Sequence, residues 1–137
     1  MTTVWAHTKR IVADVETAER FYAAMGFVTL QRMTGGEDDS RVWQDQVYMS
    51  PTGDASSHIL ILCRFRAYPP PRPSYPGESW LCLNVADVEA ACCAAKQSGG
   101  SVFRAGQDRP EHAVRAAVLA DPDGHYIELI GPMSAGQ

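Results

Sequence analysis

The sequence predicts an α+β protein built from two βαβββ modules, and two observations carry this prediction. Val12-Ala13-Asp14-Val15-Glu16 returns as Val85-Ala86-Asp87-Val88-Glu89, at an offset of 73 residues. A turn of the same kind then precedes an apolar segment in each half, as Pro51-Thr52-Gly53 and as Pro122-Asp123-Gly124. Similarity at a fixed offset indicates two copies of one structural unit.

Each copy is predicted to begin with a strand that leads into a helix. Asp14 and Asp87 stand before an amphipathic segment, where an aspartate side chain can accept hydrogen bonds from the free N–H groups of a helix start. Gly26 and Gly99 follow at the same offset. Because glycine adopts the left-handed cap conformation at the least cost, these residues are predicted to end the two helices.

Three strand-like segments follow the helix in each half. In the first half they are Phe27–Met33, Arg41–Met49 and His58–Arg64, and in the second they are Ser101–Arg104, Ala113–Ala120 and Tyr126–Ile130. We therefore expect a single domain over residues 1–137, with module one at 1–66 and module two at 78–137. Residues 67–77 are rich in proline, which cannot pair in a sheet, and are predicted to form a semi-rigid linker.

Composition and charge exclude several classes of function. The net charge is −4 and the 12 basic residues are scattered, which argues against a nucleic-acid partner or a polybasic membrane surface. No apolar run approaches the roughly 20 residues needed to span a bilayer. The start of the chain lacks a basic segment followed by an apolar stretch, so no signal peptide is predicted. We expect a cytoplasmic protein.

The four cysteines are predicted to be free thiols. Cys92 and Cys93 are neighbours in a predicted helix, whereas Cys63 and Cys82 belong to apolar strand-like segments. No Cys-x-x-Cys pair is present to form a zinc ribbon or a redox motif. We expect all four to act as small buried side chains.

Two motifs resemble those of the vicinal-oxygen-chelate superfamily, which contains glyoxalases, bleomycin-resistance proteins and dioxygenases. One is His7 followed by Val12-x-Asp14-x-Glu16-x-Ala18-x-x-Phe21-Tyr22 and Met25-Gly26-Phe27. The other is Asp121-Pro122-Asp123-Gly124-His125-Tyr126-Ile127-Glu128-Leu129. The resemblance implies the glyoxalase/bleomycin-resistance/dioxygenase fold, in which two modules form a curved eight-stranded mixed sheet around a ligand cup. It also implies a homodimer, and in many members a divalent metal that chelates vicinal oxygens of the substrate.

In metal-using relatives, the ligands come from the first and last strands of the modules. The resemblance puts His7 and Glu128 at two of four such positions. Trp80 fills the third, seven residues before Asp87, and aligning Ile59 with Ile127 puts Leu60 at the fourth. Indole and leucine side chains offer no lone pair to a metal, and catalytic sites usually supply three protein ligands. We therefore favour no cofactor, with a divalent metal held by His7 and Glu128 as the alternative.

Aromatic and acidic side chains at the cup positions predict a small-molecule site. Strand alternation puts Trp5 on the face of His7, Glu78 on that of Trp80, Tyr126 on that of Glu128, and His58 on that of Leu60. The predicted ligand-binding residues are Trp5, His7, Trp43, His58, Glu78, Trp80, Tyr126 and Glu128. Their rings provide stacking surface, and the two carboxylates suit a cationic or amine-bearing ligand. His125, of opposite parity to Glu128, and His112, in a loop, are not expected to contribute.

These residues favour a binding protein that resembles the bleomycin-resistance branch and sequesters an aromatic, cationic compound without metal. The competing prediction is an enzyme. Its metal form would use His7 and Glu128, with Glu78 or His58, for a lyase, isomerase or ring-cleaving dioxygenase reaction, and a metal-free form would use Glu128 as catalytic base. A non-catalytic dimerising domain is the third possibility.

Overall fold

A computed structural model describes residues 1–36, 38–67, 71 and 76–134 of the chain. The chain divides into two compact units, Met1–Arg72 and Pro73–Gln137, which contain module one and module two. Most of the predicted linker at 67–77 lies outside the described residues. No helix in the described ranges is long and apolar enough to cross a membrane.

Module one forms one four-stranded mixed sheet with one helix. Its elements are β1 (Thr8–Ile11), α1 (Val15–Ala24), β2 (Val28–Gly35), β3 (Gln44–Ser50) and β4 (Leu60–Phe65). The strand order is β1-β4-β3-β2. β1 runs parallel to β4, and the other two pairings are antiparallel.

Helix α1 begins where the sequence predicts a cap. The Asp14 carboxylate accepts hydrogen bonds from the backbone N–H of Glu16 at 3.2 Å and from the hydroxyl of Thr17 at 2.6 Å. The helix packs on β3 and β4 and buries Phe21 and Tyr22 completely. Burial of a side chain of this size contributes about 1.5–3 kcal/mol, so the pair is a main source of stability in this unit.

Module two repeats the same order of elements. They are β5 (Leu81–Asn84), α2 (Val88–Gln97), β6 (Ser101–Arg109), a short 3-10 helix (Pro110–His112), β7 (Val114–Ala120) and β8 (Tyr126–Gly131). The strand order β5-β8-β7-β6 matches that of module one, again with the first strand parallel to the last. The predicted α+β class, with two βαβββ modules and eight strands, is confirmed.

Helix α2 packs on one of the two faces of the module-two sheet. The Asp87 carboxylate caps the helix by accepting the N–H of Ala90 at 3.0 Å. The face toward α2 buries Ile127 and Leu129 completely, whereas Cys82 and Asn84 on the opposite face are exposed. We call the face turned away from α2 the far face. Every candidate group described below for module two lies on this face or at its ends.

Strand β6 extends five residues past its predicted end at Arg104 and contains two β-bulges. The first leaves Phe103 without a register partner, as an equivalent bulge in β2 leaves Leu30. The second lies at Ala105 and Gly106, between the pairings of Arg104 and Gln107. The second bulge absorbs an extra residue, so the strand continues through Gly106 and beyond its predicted end at Arg104.

The cysteines differ in part from expectation. All four are free thiols, as predicted, and Cys63 and Cys92 are buried. The prediction of burial is wrong for Cys82 and Cys93, which are exposed. The physical reason is their position, since Cys82 lies on the far face and Cys93 on the outer side of α2.

Candidate functional site

A cavity of about 510 Å³ opens on the far face of module two. Strands β7 and β8 form its floor, and β6 and the 3-10 helix form its wall. The lining residues are Arg104, Ala105, Gln107, Arg109, Glu111, His112, Val114, Ala116, Ala117, Val118, Glu128 and Ile130. We call this the module-two cavity. Its volume falls in the range of about 300–1,000 Å³ that is usual for small-molecule sites.

Glu128 lies in the floor of the module-two cavity. It pairs in register with Val118 on one side and with Cys82 on the other. The Cys82 thiol, 3.7 Å from the Glu128 carboxylate, is the side-chain partner that the described residues provide. A half-buried carboxylate is costly to keep away from water without a cation or several hydrogen bonds. Glu128 is therefore available to a donor group of a ligand.

The thiol beside Glu128 is held in its neutral form. Although Cys82 is exposed, partial desolvation of its thiol raises the pKa of Cys82, and the nearby Glu128 carboxylate raises it further. Since the thiolate is the nucleophilic form, Cys82 is not suited to nucleophilic catalysis near neutral pH.

Three hydrogen-bond donors line the wall opposite Glu128. Arg104, Gln107 and Arg109 all pair in register with floor residues of β7 and so lie on the far face. Asp108, between them, lies on the α2 side, where Arg115 binds it at 3.1 Å. Within the described ranges, none of the three donor side chains has a hydrogen bond or ion pair to another side chain. We call them the donor wall.

Three aromatic rings pack together at the end of the far face. The ring of Tyr126 lies 5.3 Å from that of Trp80 and 4.8 Å from that of Phe103, measured between centroids. Trp80 is 45% exposed and Phe103 is 52% exposed. Tyr126 is two residues before Glu128 on the same strand, so this aromatic cluster lies next to the module-two cavity.

Four of the predicted ligand-binding residues belong to module one. Trp5 and His7 are exposed just before β1, and His58 is exposed two residues before β4. Trp43 is half-buried, and the guanidinium of Arg66 lies over its ring at 5.0 Å. Within module one, these four side chains are not brought into one cluster by any described hydrogen bond or ring contact.

The structure also revises the part played by two histidines. Glu78 lies with its carboxylate 3.9 Å from Nδ1 of His125. His125 precedes β8, so strand alternation, which assigned it away from the cup, does not fix its direction. His112 is exposed, as expected for a loop residue, but it also lines the module-two cavity.

The corresponding face of module one has its polar groups satisfied internally. The side-chain oxygen of Gln44 accepts hydrogen bonds from Lys9 at 3.2 Å and from the Cys63 thiol at 2.7 Å. The hydroxyl of Tyr48 reaches Gln46 at 3.5 Å. Among the described residues, the unpartnered charged side chains of the far face are therefore specific to module two and are not shared by the corresponding face of module one.

Strand register corrects one of the four family metal positions. Glu128 pairs with Cys82 in module two, and Ile61 pairs with Lys9, the residue 73 positions before Cys82, in module one. Ile61 is therefore the equivalent of Glu128, and the assignment of Leu60 is wrong by one residue. The error affects which side chain points to the site, because a shift of one residue along a strand moves a side chain to the other face of the sheet.

The donor set does not fit a divalent metal. With this correction the four positions hold His7, Ile61, Trp80 and Glu128, and neither isoleucine nor indole offers a lone pair. Across the described ranges, no group of three or more His, Cys, Asp or Glu side chains is arranged to hold a metal ion. A carboxylate and one imidazole fall short of the three protein ligands that are usual in catalytic sites.

Sequence reasoning identified Glu128, Trp80 and Tyr126 but missed Phe103 and the donor wall. Regular alternation from Arg104 would put Asp108, rather than Gln107 and Arg109, on its face. The bulge at Ala105 and Gly106 changes this parity. The glycine was the available signal, since glycine inside a strand often marks a bulge.

Comparisons with known proteins agree with this architecture. The family model of the Glyoxalase/Bleomycin resistance protein/Dioxygenase superfamily matches residues 5–129. A probable lactoylglutathione lyase from Vibrio parahaemolyticus is 25% identical over 124 residues, which cover 90% of this chain and 87% of that protein.

Solved structures share the fold over nearly the whole chain. A glyoxalase family protein from Bacillus cereus matches with a TM-score of 0.80 at 18% identity, covering 98% of this chain and 97% of that one. The trypanothione-dependent glyoxalase I of Leishmania major matches with a TM-score of 0.72 at 21% identity, covering 95% and 87%. The chain belongs to the Glyoxalase/Bleomycin resistance protein/Dioxygenase superfamily.

Proposed function

We propose that the protein binds a small aromatic molecule at module two and sequesters it without a metal and without chemical change. The observation that carries the proposal is the aromatic cluster of Trp80, Phe103 and Tyr126 beside the carboxylate of Glu128. Exposed rings next to a cavity provide a stacking surface, and each stacked pair contributes about 0.5–1.5 kcal/mol beyond burial.

Glu128 supports a ligand with an amine or another strong donor. Its neighbours in register are a valine and a thiol, which leave most of the lone pairs of the carboxylate to a ligand. A hydrogen bond to a charged group contributes about 1.5–3 kcal/mol, which exceeds the contribution of one stacking contact. We therefore expect Glu128 to select among ligands of the same shape.

An enzyme remains the competing proposal, in its metal-free form. Glu128 faces a cavity, as a general base must, and the same carboxylate would then remove a proton from the substrate. Recovery of the ligand distinguishes the two proposals, because a sequestering protein returns it unchanged. The metal-dependent form has less support, since two of the four family positions carry no donor.

We also propose that the chain forms a homodimer. Val4 and Trp5 are adjacent and are 81% and 78% exposed, which is unfavourable in water for large apolar side chains. Light scattering is expected to give twice the chain mass of 15.0 kDa. A Trp5→Ser variant is expected to shift the equilibrium toward the monomer, and a wild-type mass equal to one chain would sink the proposal.

The binding proposal is tested with naphthylmethylamine and naphthylmethanol, which share a ring system and differ in charge. By calorimetry we expect the amine to bind about tenfold more tightly than the alcohol, as one hydrogen-bonded charge pair predicts. Glu128→Gln should abolish this preference, whereas Glu16→Gln, an exposed carboxylate on α1, should keep it. Mass spectrometry should recover both compounds unchanged.

Two outcomes would contradict the proposal. One is a wild-type protein that binds neither compound. The other is binding that persists undiminished in both Trp80→Ala and Glu128→Gln, which would locate the ligand elsewhere. Conversion of either compound would favour the enzyme.

A further inference from the structure

We infer that the ligand of module two is amphoteric and carries, in addition to its donor group, an oxyanion that binds Arg104 and Gln107. The oxyanion is a carboxylate, a sulfonate or a phosphate. This inference rests on the proposed function, since it adds a second anchor to the same ligand.

The two anchors lie on one row across the sheet. Arg104 pairs in register with Val118, and Val118 pairs with Glu128. Two strand spacings therefore separate the backbones of Arg104 and Glu128, which is roughly 10 Å. Val118 between them is 6% exposed and gives the row an apolar centre. A cation site and an anion site thus flank a floor on which a flat ring can lie.

Arg104 is held by its neighbour in sequence. The carbon of its guanidinium lies 5.7 Å from the centroid of the Phe103 ring. An aromatic face next to a guanidinium orients it without using its N–H groups, which remain free to donate. Arg104 is exposed and has no carboxylate partner in the described part of the chain.

The bulge at Ala105 and Gly106 brings a second donor to the same place. Because it absorbs one residue, Gln107 follows Arg104 as the next residue of β6 in register with β7, on the same face. A guanidinium forms paired hydrogen bonds to a carboxylate or a phosphate, and a carboxamide N–H adds a third. Arg109 is a weaker candidate, since Glu111 also lines its end of the cavity.

The inference is tested with two naphthalene probes by calorimetry. One is naphthylmethylamine, and the other is an aminomethyl-naphthoate with its ammonium and carboxylate at opposite ends of the ring system. In the wild type we expect the aminomethyl-naphthoate to bind about tenfold more tightly, the gain from one charge-assisted pair. Its sulfonate and phosphate counterparts then rank the three oxyanions.

Variants assign the gain to the donor wall. Arg104→Gln is expected to remove the gain, which is measured as the ratio of the two probes' affinities within the same variant. Arg104→Lys should retain part of the gain, since an ammonium group keeps the positive charge but cannot form the paired hydrogen bonds of a guanidinium. Gln107→Leu should reduce it, and Lys96→Gln, an exposed cation on α2, should keep it in full.

The inference is overturned if the aminomethyl-naphthoate binds no more tightly than the amine. It is also overturned if the gain survives in both Arg104→Gln and Gln107→Leu. In either case, amine binding that depends on Glu128 would leave the proposed function intact. If neither probe binds the wild type, the proposed function itself fails and the inference fails with it. Thermal melting shows that each variant is folded.

Discussion

The thiol of Cys82 and the carboxylate of Glu128 are neighbours on two parallel strands, with Sγ and Oε1 3.7 Å apart. Partial desolvation of the thiol is the largest cause that raises the pKa of Cys82, and the negative charge of Glu128 adds to the effect. The reactivity of the Cys82 thiol therefore depends on the charge of Glu128. Cys82 is exposed enough for a small reagent to reach it.

Glu128→Gln is expected to accelerate alkylation of Cys82 by iodoacetamide near neutral pH. The substitution removes the negative charge of Glu128, which raises the pKa of this thiol, so more thiolate is present at a given pH. Peptide mass spectrometry measures the rate, with the exposed Cys93 on α2 as an internal control. An unchanged ratio of the two rates would show that the carboxylate does not affect the thiol.

Trp80→Leu is expected to weaken naphthylmethylamine binding about two- to twelvefold. This range corresponds to the loss of one stacking contact of about 0.5–1.5 kcal/mol. Trp43→Leu is the matched control, because the ring of Trp43 is covered by Arg66 at 5.0 Å. Calorimetry that found the larger loss in Trp43→Leu would transfer the stacking role to module one.

Asp45→Asn is expected to lower the free energy of unfolding by about 1–2 kcal/mol at neutral pH. Asp45 accepts hydrogen bonds from Arg66 at 2.7 Å, Arg64 at 3.1 Å and Thr34 at 3.1 Å. These contacts, Arg66 above all, lower the pKa of Asp45 below its ordinary value of 3.8. The loss expected is at the lower end of the range for charged hydrogen bonds, because both arginines are half-exposed and water weakens their attraction to Asp45.

The effect of Asp45 should depend on pH in a fixed direction. Because the folded-state pKa is lowered, its stabilising contribution is complete above the ordinary value of 3.8 and fades as the pH falls through the folded-state value. Urea unfolding should therefore show wild type and Asp45→Asn converging in acid. Asp38→Asn, which removes an exposed loop carboxylate, is the control and should follow the wild type throughout. A constant difference between wild type and Asp45→Asn down to low pH would refute the assignment.

Gly106→Ala is expected to destabilise the protein by about 1 kcal/mol. A Cβ at this position would lie 2.5 Å from Oε1 of Glu89 and 2.9 Å from Nε of Arg115. These atoms belong to an ion pair that would have to move. Gly35→Ala is the control in β2, where the nearest atom is Nε2 of Gln46 at an ordinary 3.5 Å. Equal melting temperatures for the two variants would contradict the prediction.

Metal titration is expected to show no micromolar binding of nickel or zinc to the wild type. His7 and Glu128 are two donors where catalytic sites usually supply three. Weak binding that is the same in His7→Ala and Glu128→Ala would agree with this. Micromolar binding abolished by either substitution would revive the metal-dependent enzyme.

Much of the fold follows from the sequence because the repeat carries its own signals. Asp14 and Asp87 cap the two helices as predicted, and the strands begin within about three residues of their predicted starts. Strand alternation also put Tyr126 on the face of Glu128, and the strand pairings of the two residues with β7 agree with this. These features depend on neighbours in sequence, which is why they can be predicted.

The rest of the site depends on register, which sequence alone does not determine. Aligning Ile59 with Ile127 selected Leu60 where the strand pairing selects Ile61. Gln107 was missed because the strand was predicted to end at Arg104, before the bulge that brings Gln107 to the far face. The error at Leu60 came from counting along a strand whose partner was not yet known.

Strands β2 and β6 are the corresponding strands of the two modules, and they differ by one residue. Met33 and Gln107 pair with equivalent positions on the next strand, Gln46 and Ala116, but β6 reaches its position one residue later. The two strands therefore differ by one residue at this bulge. Because the bulge absorbs that residue, the side chains of β6 beyond Arg104 exchange faces while the pairing with β7 continues, so a one-residue insertion is enough to change the chemical lining of one module without unpairing its sheet.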